Sequence, residues 1–162
     1  MSQYRECAGI VLFNNNGKVL VCARADESGF EWQFPQGGIE SGEQPQNAAL
    51  RELKEETSVT SAQIIFALPE PLCYDFPKSI LKFLQSKGRH HIGQRMHWFL
   101  AYFTGDDSEI DLKTATPEFK AYKWEDFINA PKLIIDFKKD MYLKVCQTFS
   151  PHIKEFLSKK QS

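Results

Sequence analysis

The sequence has almost no charge excess. Lys and Arg total 20 against 21 Asp and Glu, a net charge of -1. Coating long nucleic acid or gripping a DNA duplex needs clustered Lys and Arg to neutralise phosphates, so the balance argues against both. It does not bear on holding one nucleotide or one RNA end. Long apolar runs are also missing. The N-terminal MSQYRECAGIVLF is too short to span a membrane, and no small-residue cleavage site follows it. Cysteine is scarce: Cys7, Cys22, Cys73 and Cys146 form no C-x-x-C pair and match no zinc spacing. They read as scattered thiols in a reducing compartment, and the expectation is a cytoplasmic protein without a membrane partner. There is no internal repeat, low-complexity tract or long linker.

What is present suits one domain spanning residues 1–162, with 42% hydrophobic and 13% aromatic residues available for a core. Apolar runs on either side of Asn14-Asn15-Asn16-Gly17 predict a hairpin, since Asn and Gly tolerate positive φ. EWQFPQGG reads as a short aromatic strand ending at Pro35 and two glycines. Pro45 suits a first helical position, Ala49 and Leu53 give that helix an apolar stripe, and Ser58 stands where it stops. SAQIIFAL, MHWFLAYFTG and FKAYKW are strand-like. Phe137, Met141, Val145 and Phe149 recur every four residues and predict an amphipathic helix. Ser150-Pro151 then predicts the cap and first residue of one more short helix. Hairpins mixed with helices, without regular β-α-β alternation, indicate an α+β protein with a mixed sheet.

RELKEETSV, from Arg51 to Val59, crowds carboxylates at a helix end. Glu52, Glu55 and Glu56 share one face at i+3 and i+4 spacing, where like charges repel by a few tenths of a kcal/mol per pair. The last helical turn also faces the negative end of the dipole, adverse by roughly 0.3–1 kcal/mol per carboxylate. Arg51 can offset part of this by pairing with Glu55 at i+4. By itself E-x-x-E-E reads as a solvated acidic face. Its surroundings change the reading, because Gly37, Glu43, Arg51, Glu52, Leu53, Glu55, Glu56 and Val59 follow the pattern G-x5-E-x7-R-E-L-x-E-E-x-x-V.

That pattern resembles the Nudix box. The resemblance implies a Nudix hydrolase: a mixed β-sheet between α-helices, a loop–helix–loop that binds a divalent cation, and cleavage of a phosphoanhydride. Mg²⁺, with Mn²⁺ as a substitute, suits oxygen ligands such as Glu52, Glu55 and Glu56. A metal there neutralises phosphate charge and lowers the pKa of bound water. Gly37 and Gly38 let the backbone pass close to the site, and Glu43 and Arg51 belong to the motif's framework. One position departs: Ser58 stands where the family has a Gly that ends the helix in the left-handed region, at a cost of about 1 kcal/mol.

WQFPQGGI, YDFP, IGQRMHWFL, EIDL, TPEFKAYKW and DFKKDMY are similar to one branch of that family, from about Tyr4 to Phe149. The branch holds bacterial RNA pyrophosphohydrolases and plant-type dinucleoside polyphosphate hydrolases; Met96 and His97 depart from its usual residues. The resemblance implies that Glu118 of TPEF completes the metal site, where alone it reads as a surface Glu. It implies that Arg5 meets 5′-phosphates and that Tyr74 and Phe137 line the nucleotide pocket, against ordinary solvation or core packing. Lys138 reads as a phosphate contact or a helix-surface Lys. KGRHHIGQR reads as a polar loop between strands that can also guide an RNA end, and its histidines carry no catalytic role. The implied reaction converts 5′-triphosphate or 5′-diphosphate RNA ends to 5′-monophosphates, opening mRNA decay. The alternatives are diadenosine tetraphosphate hydrolysis, sanitation of oxidised nucleotides and, in another class, an inactive nucleotide-binding module.

Overall fold

From Cys7 to Phe13 every residue is buried, although side chains in a strand alternate between two faces. Such a run needs cover on both sides. In the computed structural model, which describes residues 3–26 and 31–160, both sides are covered. The elements are β1 (Tyr4–Phe13), β2 (Lys18–Arg24), β3 (Trp32–Gln33), β4 (Gln36–Gly38), α1 (Pro45–Thr57), β5 (Ala62–Ala67), β6 (Leu72–Asp75), α2 (Lys78–Ser86), β7 (Gly93–Phe103), β8 (Phe119–Asp126), α3 (Ala130–Leu133) and α4 (Lys139–Lys160).

The sheet runs β3-β2-β1-β7-β5, with β4 on β1, β6 on β7 and β8 on β2. β1 and β7 pair in parallel from Tyr4 opposite Gly93 to Phe13 opposite Tyr102, while the other pairings are antiparallel. The sheet is therefore mixed, as expected. Cys7, Val11 and Phe13 join Phe34, Trp98 and Leu100 beneath Tyr142, Val145 and Phe149 of α4. Ala8, Ile10 and Leu12 join Leu20 and Phe99 against Ala48, Ala49 and Leu53 of α1. Each large apolar side chain taken out of water contributes about 1.5–3 kcal/mol, so α1 is fastened to the sheet through its apolar stripe and its carboxylates point elsewhere.

The hairpin forms at Asn14–Gly17: Asn14 N–H donates to Lys18 O at 3.0 Å, the Asn14 side chain accepts from Asn16 and Lys18 N–H, and Gly17 has φ 75°. The aromatic strand divides into β3 and β4 because Pro35 has no N–H to pair; its carbonyl accepts from Ile10 N–H at 3.1 Å. α1 begins at Pro45, as predicted.

Two expectations change. No helix begins at Ser150-Pro151: α4 runs unbroken through Pro151 to Lys160. The carbonyl that Pro151 deprives of a donor belongs to exposed Gln147, within reach of water, and Ser150 Oγ donates back to Cys146 O at 2.7 Å. The apolar face beyond the proline, including Ile153 and Phe156, packs on the core and holds the helix together. Phe137 precedes α4, in a 3-10 turn over Asp136–Lys138. The helix α2 was not foreseen at all. No helix among the described residues is long and apolar enough to cross a membrane.

Candidate metal and phosphate site

Arg51 organises the site. Its Nε and Nη2 grip both oxygens of Glu43 at 2.8 and 3.0 Å, and Nη2 also donates to Gly38 O at 2.8 Å. Its Nη1 donates to Glu52 at 3.0 Å and to Glu55 at 3.1 Å, the latter being the expected i+4 pair. One planar guanidinium thereby ties the loop after β4 to α1. Arg51 holds the Glu43 carboxyl down at about 2.

Among the described residues Glu56 makes no such ion pair. Glu56 is only 2% exposed; it accepts from Gln36 N–H at 3.3 and 3.4 Å and shares a hydrogen bond with Glu52. Burial pushes its carboxyl well above the usual range, and the charges of Glu52 and Glu118 push it further. Burial also raises Glu52, with Arg51 opposing and Glu55 and Glu118 adding to the rise. Glu118, far away in sequence, reaches this group because β8 pairs with β2; its carbonyl accepts from Ala25 N–H at 2.8 Å. Glu55 is the outlier, with its side chain 57% exposed beyond Arg51.

Glu52 and Glu56, both raised and largely out of water, stand beside the exposed Glu118 as a set of oxygen donors. Hard divalent cations take all-oxygen ligands and keep several waters, so Glu52, Glu56 and Glu118 fit such an ion. Among the described residues no three acidic, His or Cys side chains are already closed around a metal position. Arg51 draws Glu52 and Glu55 towards itself instead.

At Gly37 and Gly38 the backbone passes too close to neighbouring side chains to carry one of its own. A Cβ on Gly37 would overlap the Glu52 carboxyl, and one on Gly38 would overlap the Arg5 guanidinium. Arg5 projects from β1 into a cleft of about 1100 Å³ that Glu52, Tyr74, Glu118, Phe137 and Lys138 also line. The cleft thus brings together the substrate residues expected from sequence, while Glu55 and Glu56 stand outside its wall.

Tyr74 is buried, its hydroxyl donates to Gln94, and its ring centroid lies 5.7 Å from that of Phe137. Lys138 is no surface lysine: it is 6% exposed, with Nζ 5.6 Å from the Tyr74 ring centroid and 5.9 Å from that of Phe137. Burial lowers its ammonium to about 8, with the Arg24 charge contributing. Met96 and His97 both lie away from the cleft. Met96 is core, and His97 Nε2 sits 2.9 Å from Glu6. Sequence reading missed Arg24 and Trp32, which also line the cleft. Arg24 bonds Asp26 at 2.6 and 3.0 Å, and Trp32 carries Lys123 Nζ 4.5 Å over its ring. Both stand beside loops or in strands whose pattern signals only packing.

Known proteins place this arrangement in context. The NUDIX domain model matches residues 3–145. An RNA pyrophosphohydrolase of Erythrobacter litoralis is 44% identical over 153 residues, covering 91% of each chain. Another, of Sphingopyxis alaskensis, is 43% identical and covers 91% of this chain and 94% of its own. Among solved structures, a C. elegans Ap4A hydrolase binary complex superposes with a TM-score of 0.64 at 21% identity, covering 92% of this chain and 98% of that one. With its carboxylate helix, its glycine-lined approach and a match over nearly its whole length, the chain belongs to the NUDIX domain family.

Proposed function

We propose that this protein is a Mg²⁺-dependent RNA 5′-pyrophosphohydrolase that converts 5′-triphosphate or 5′-diphosphate ends to 5′-monophosphates. One observation carries the reading: a single cleft is lined by cations, Arg5 and buried Lys138, by the carboxylates Glu52 and Glu118, and by the Tyr74 and Phe137 rings. The two RNA pyrophosphohydrolases at 43–44% identity support the substrate class.

Glu52, Glu55, Glu56 and Glu118 would hold the metal. When bound, the ion supplies charge neutralisation and an acidified water. Arg5 orients the terminal phosphates through a guanidinium that stays charged at any working pH. Lys138 adds a second positive charge from a dry wall, where Coulomb attraction is stronger than in water. Tyr74 and Phe137 offer ring faces to a base. Free buried thiols at Cys7 and Cys22 agree with a cytoplasmic setting.

Dinucleoside polyphosphate hydrolysis is the second reading, favoured by the fold of the Ap4A hydrolase and by a cleft roomy for one nucleotide. An inactive binding module is disfavoured by Glu56, because a carboxylate buried against Glu52 and Glu118 is costly unless it serves a cation.

Side-by-side kinetics on triphosphorylated RNA and diadenosine tetraphosphate, with and without Mg²⁺, test this. Metal-dependent pyrophosphate or phosphate release from RNA at the higher kcat/KM is expected, and Arg5→Ala should lower it by about 1.5–3 kcal/mol in transition-state stabilisation. Intact RNA alongside rapid dinucleotide cleavage would transfer the assignment to the second reading.

A further inference from the structure

The cleft has a second wall that the reaction described above does not use. α2 contributes Ile80, Phe83 and Leu84 to it, spaced at i, i+3 and i+4 on one face. No α2 residue is buried, and Phe83 is 61% exposed. An aromatic ring that open, turned towards a polar cleft, has no packing role to explain it.

The charge around it is one-sided. From Phe76 to Gly105 there is no Asp or Glu, while Lys78, Lys82, Lys87, Arg89 and Arg95 all fall in that stretch. With five of the 20 basic residues here, the remaining 15 face all 21 acidic residues elsewhere. The local geometry gathers some of that charge at the ring. Lys87 Nζ lies 5.7 Å from the Phe83 centroid. Arg89 N–H and Lys87 N–H both return to Leu84 O, at 2.9 and 3.0 Å, and Gly88 at φ 77° turns the chain. That turn delivers Arg89 and His91 to the rim of the same cleft.

We infer that α2 and the Lys87–His91 turn form a single-stranded RNA subsite for the nucleotides that follow the reacting 5′ end. This rests on the RNA reading proposed above. Phe83 is the stacking platform, and Lys87 and Arg89 meet the backbone phosphates. Exposed rings interleaved with cations are how proteins hold single strands without reading sequence, since every base has a stackable face. A protein partner suits the wall less well, because it would have to enter the cleft and meet Lys87 at the ring and Arg89 at the rim. The subsite is short. Beyond it the acidic remainder of the surface repels phosphates, so affinity should rise over the first few nucleotides and then level off.

The test compares the wild type with Phe83→Ala and with the double change Lys87→Ala, Arg89→Ala. One readout is fluorescence anisotropy of a 5′-monophosphate RNA hexamer without metal. The other is kcat/KM on triphosphorylated RNAs of two to six nucleotides. Each variant should bind the hexamer at least fivefold more weakly, the low end of what base stacking supplies. Each should flatten the length dependence while hydrolysing the dinucleotide at the wild-type rate. Thermal unfolding should be unchanged, since these side chains are exposed. Equal losses at every length, or none, overturn the subsite. So does a Phe83→Ala effect confined to sedimentation, which would mark a self-association face. If the wild type binds the hexamer through Phe83 yet leaves triphosphorylated RNA intact, the subsite stands and the hydrolase assignment falls.

Discussion

Gly37 lies so close to Glu52 that no side chain fits between them: a Cβ there would overlap the carboxyl group itself. Backbone conformation is not the reason, since Gly37 is outside the positive-φ residues. The glycine instead sets where the Glu52 carboxylate can stand. Gly37→Ala is therefore expected to push that carboxylate aside and lower turnover about a hundredfold, the usual cost of misplacing a reacting geometry by an ångström. Stability should change little, because the colliding atoms end a flexible side chain. Gly9→Ala makes the contrast. Its Cβ would stand 2.5 Å from Cζ3 of fully buried Trp98 and should cost about 1–3 kcal/mol of stability. Thermal unfolding and steady-state kinetics on both variants separate the two effects.

Glu56→Gln should keep the fold and lose the chemistry. Glutamine has nearly the same shape and can still accept from Gln36 N–H. Removing a charge pressed against Glu52 and Glu118 relieves repulsion, so the melting temperature should hold or rise. Turnover at saturating Mg²⁺ should fall at least a hundredfold and Mn²⁺ affinity should drop, as calorimetry would measure. Glu55→Gln should show the same trend more weakly, because Glu55 is mostly exposed. Near-normal turnover in Glu56→Gln would remove it from the metal site.

How far the sequence exposed this site depends on the kind of signal. The helix of Glu52, Glu55 and Glu56 was legible because its residues are local and helical spacing fixes their shared face. β1 and β8 were legible as strands, but their partners were not. Glu118 reaches Glu52 only through β8 pairing with β2, which spacing cannot show. Lys138 looked like surface because its neighbours Lys139 and Asp140 are polar; the 3-10 turn before α4 rotates it inward. Pro151 read as a helix start because proline is a local rule, and tertiary packing of Ile153 and Phe156 overrode it. α2 escaped notice because its apolar face has no core to fill.

Ser58 does adopt the left-handed conformation expected of it, at φ 68°, and its N–H closes α1 on Lys54 O at 2.8 Å. Its hydroxyl also donates to Asp111 O at 2.8 Å, a role glycine cannot take. Ser58→Gly would relieve about 1 kcal/mol of steric cost and lose a hydrogen bond worth roughly as much, so the net change should stay within about 0.5 kcal/mol. Ser58→Ala keeps the strain and loses the bond, and should cost about 1 kcal/mol. Urea denaturation of both variants distinguishes the two contributions.

Lys138 should leave a signature in the pH dependence of stability. Its ammonium titrates near 8 in the folded protein against 10.5 ordinarily, first because of burial and then because of Arg24. Below pH 8 both folded and unfolded chains carry the charge, so folding bears the full cost of burying it. Between about 8 and 10.5 the unfolded chain holds a proton that the folded one has lost, and stability rises with pH through that window. Above it the cost is gone. A depression of that size corresponds to about 3 kcal/mol. Lys138→Met removes the charge and keeps the bulk, so it should stabilise the protein by up to about 3 kcal/mol at pH 7. The gain should vanish by pH 10.5, because the wild type has by then shed its own penalty. Other alkaline titrations are common to both proteins and cancel in the difference. The same variant should raise KM for phosphorylated RNA, because it takes the positive charge out of the cleft wall. Stability gained and substrate affinity lost in one substitution is what a binding lysine held in a dry wall requires. A variant no more stable than wild type at pH 7 would mean that the charge is already compensated in the folded protein.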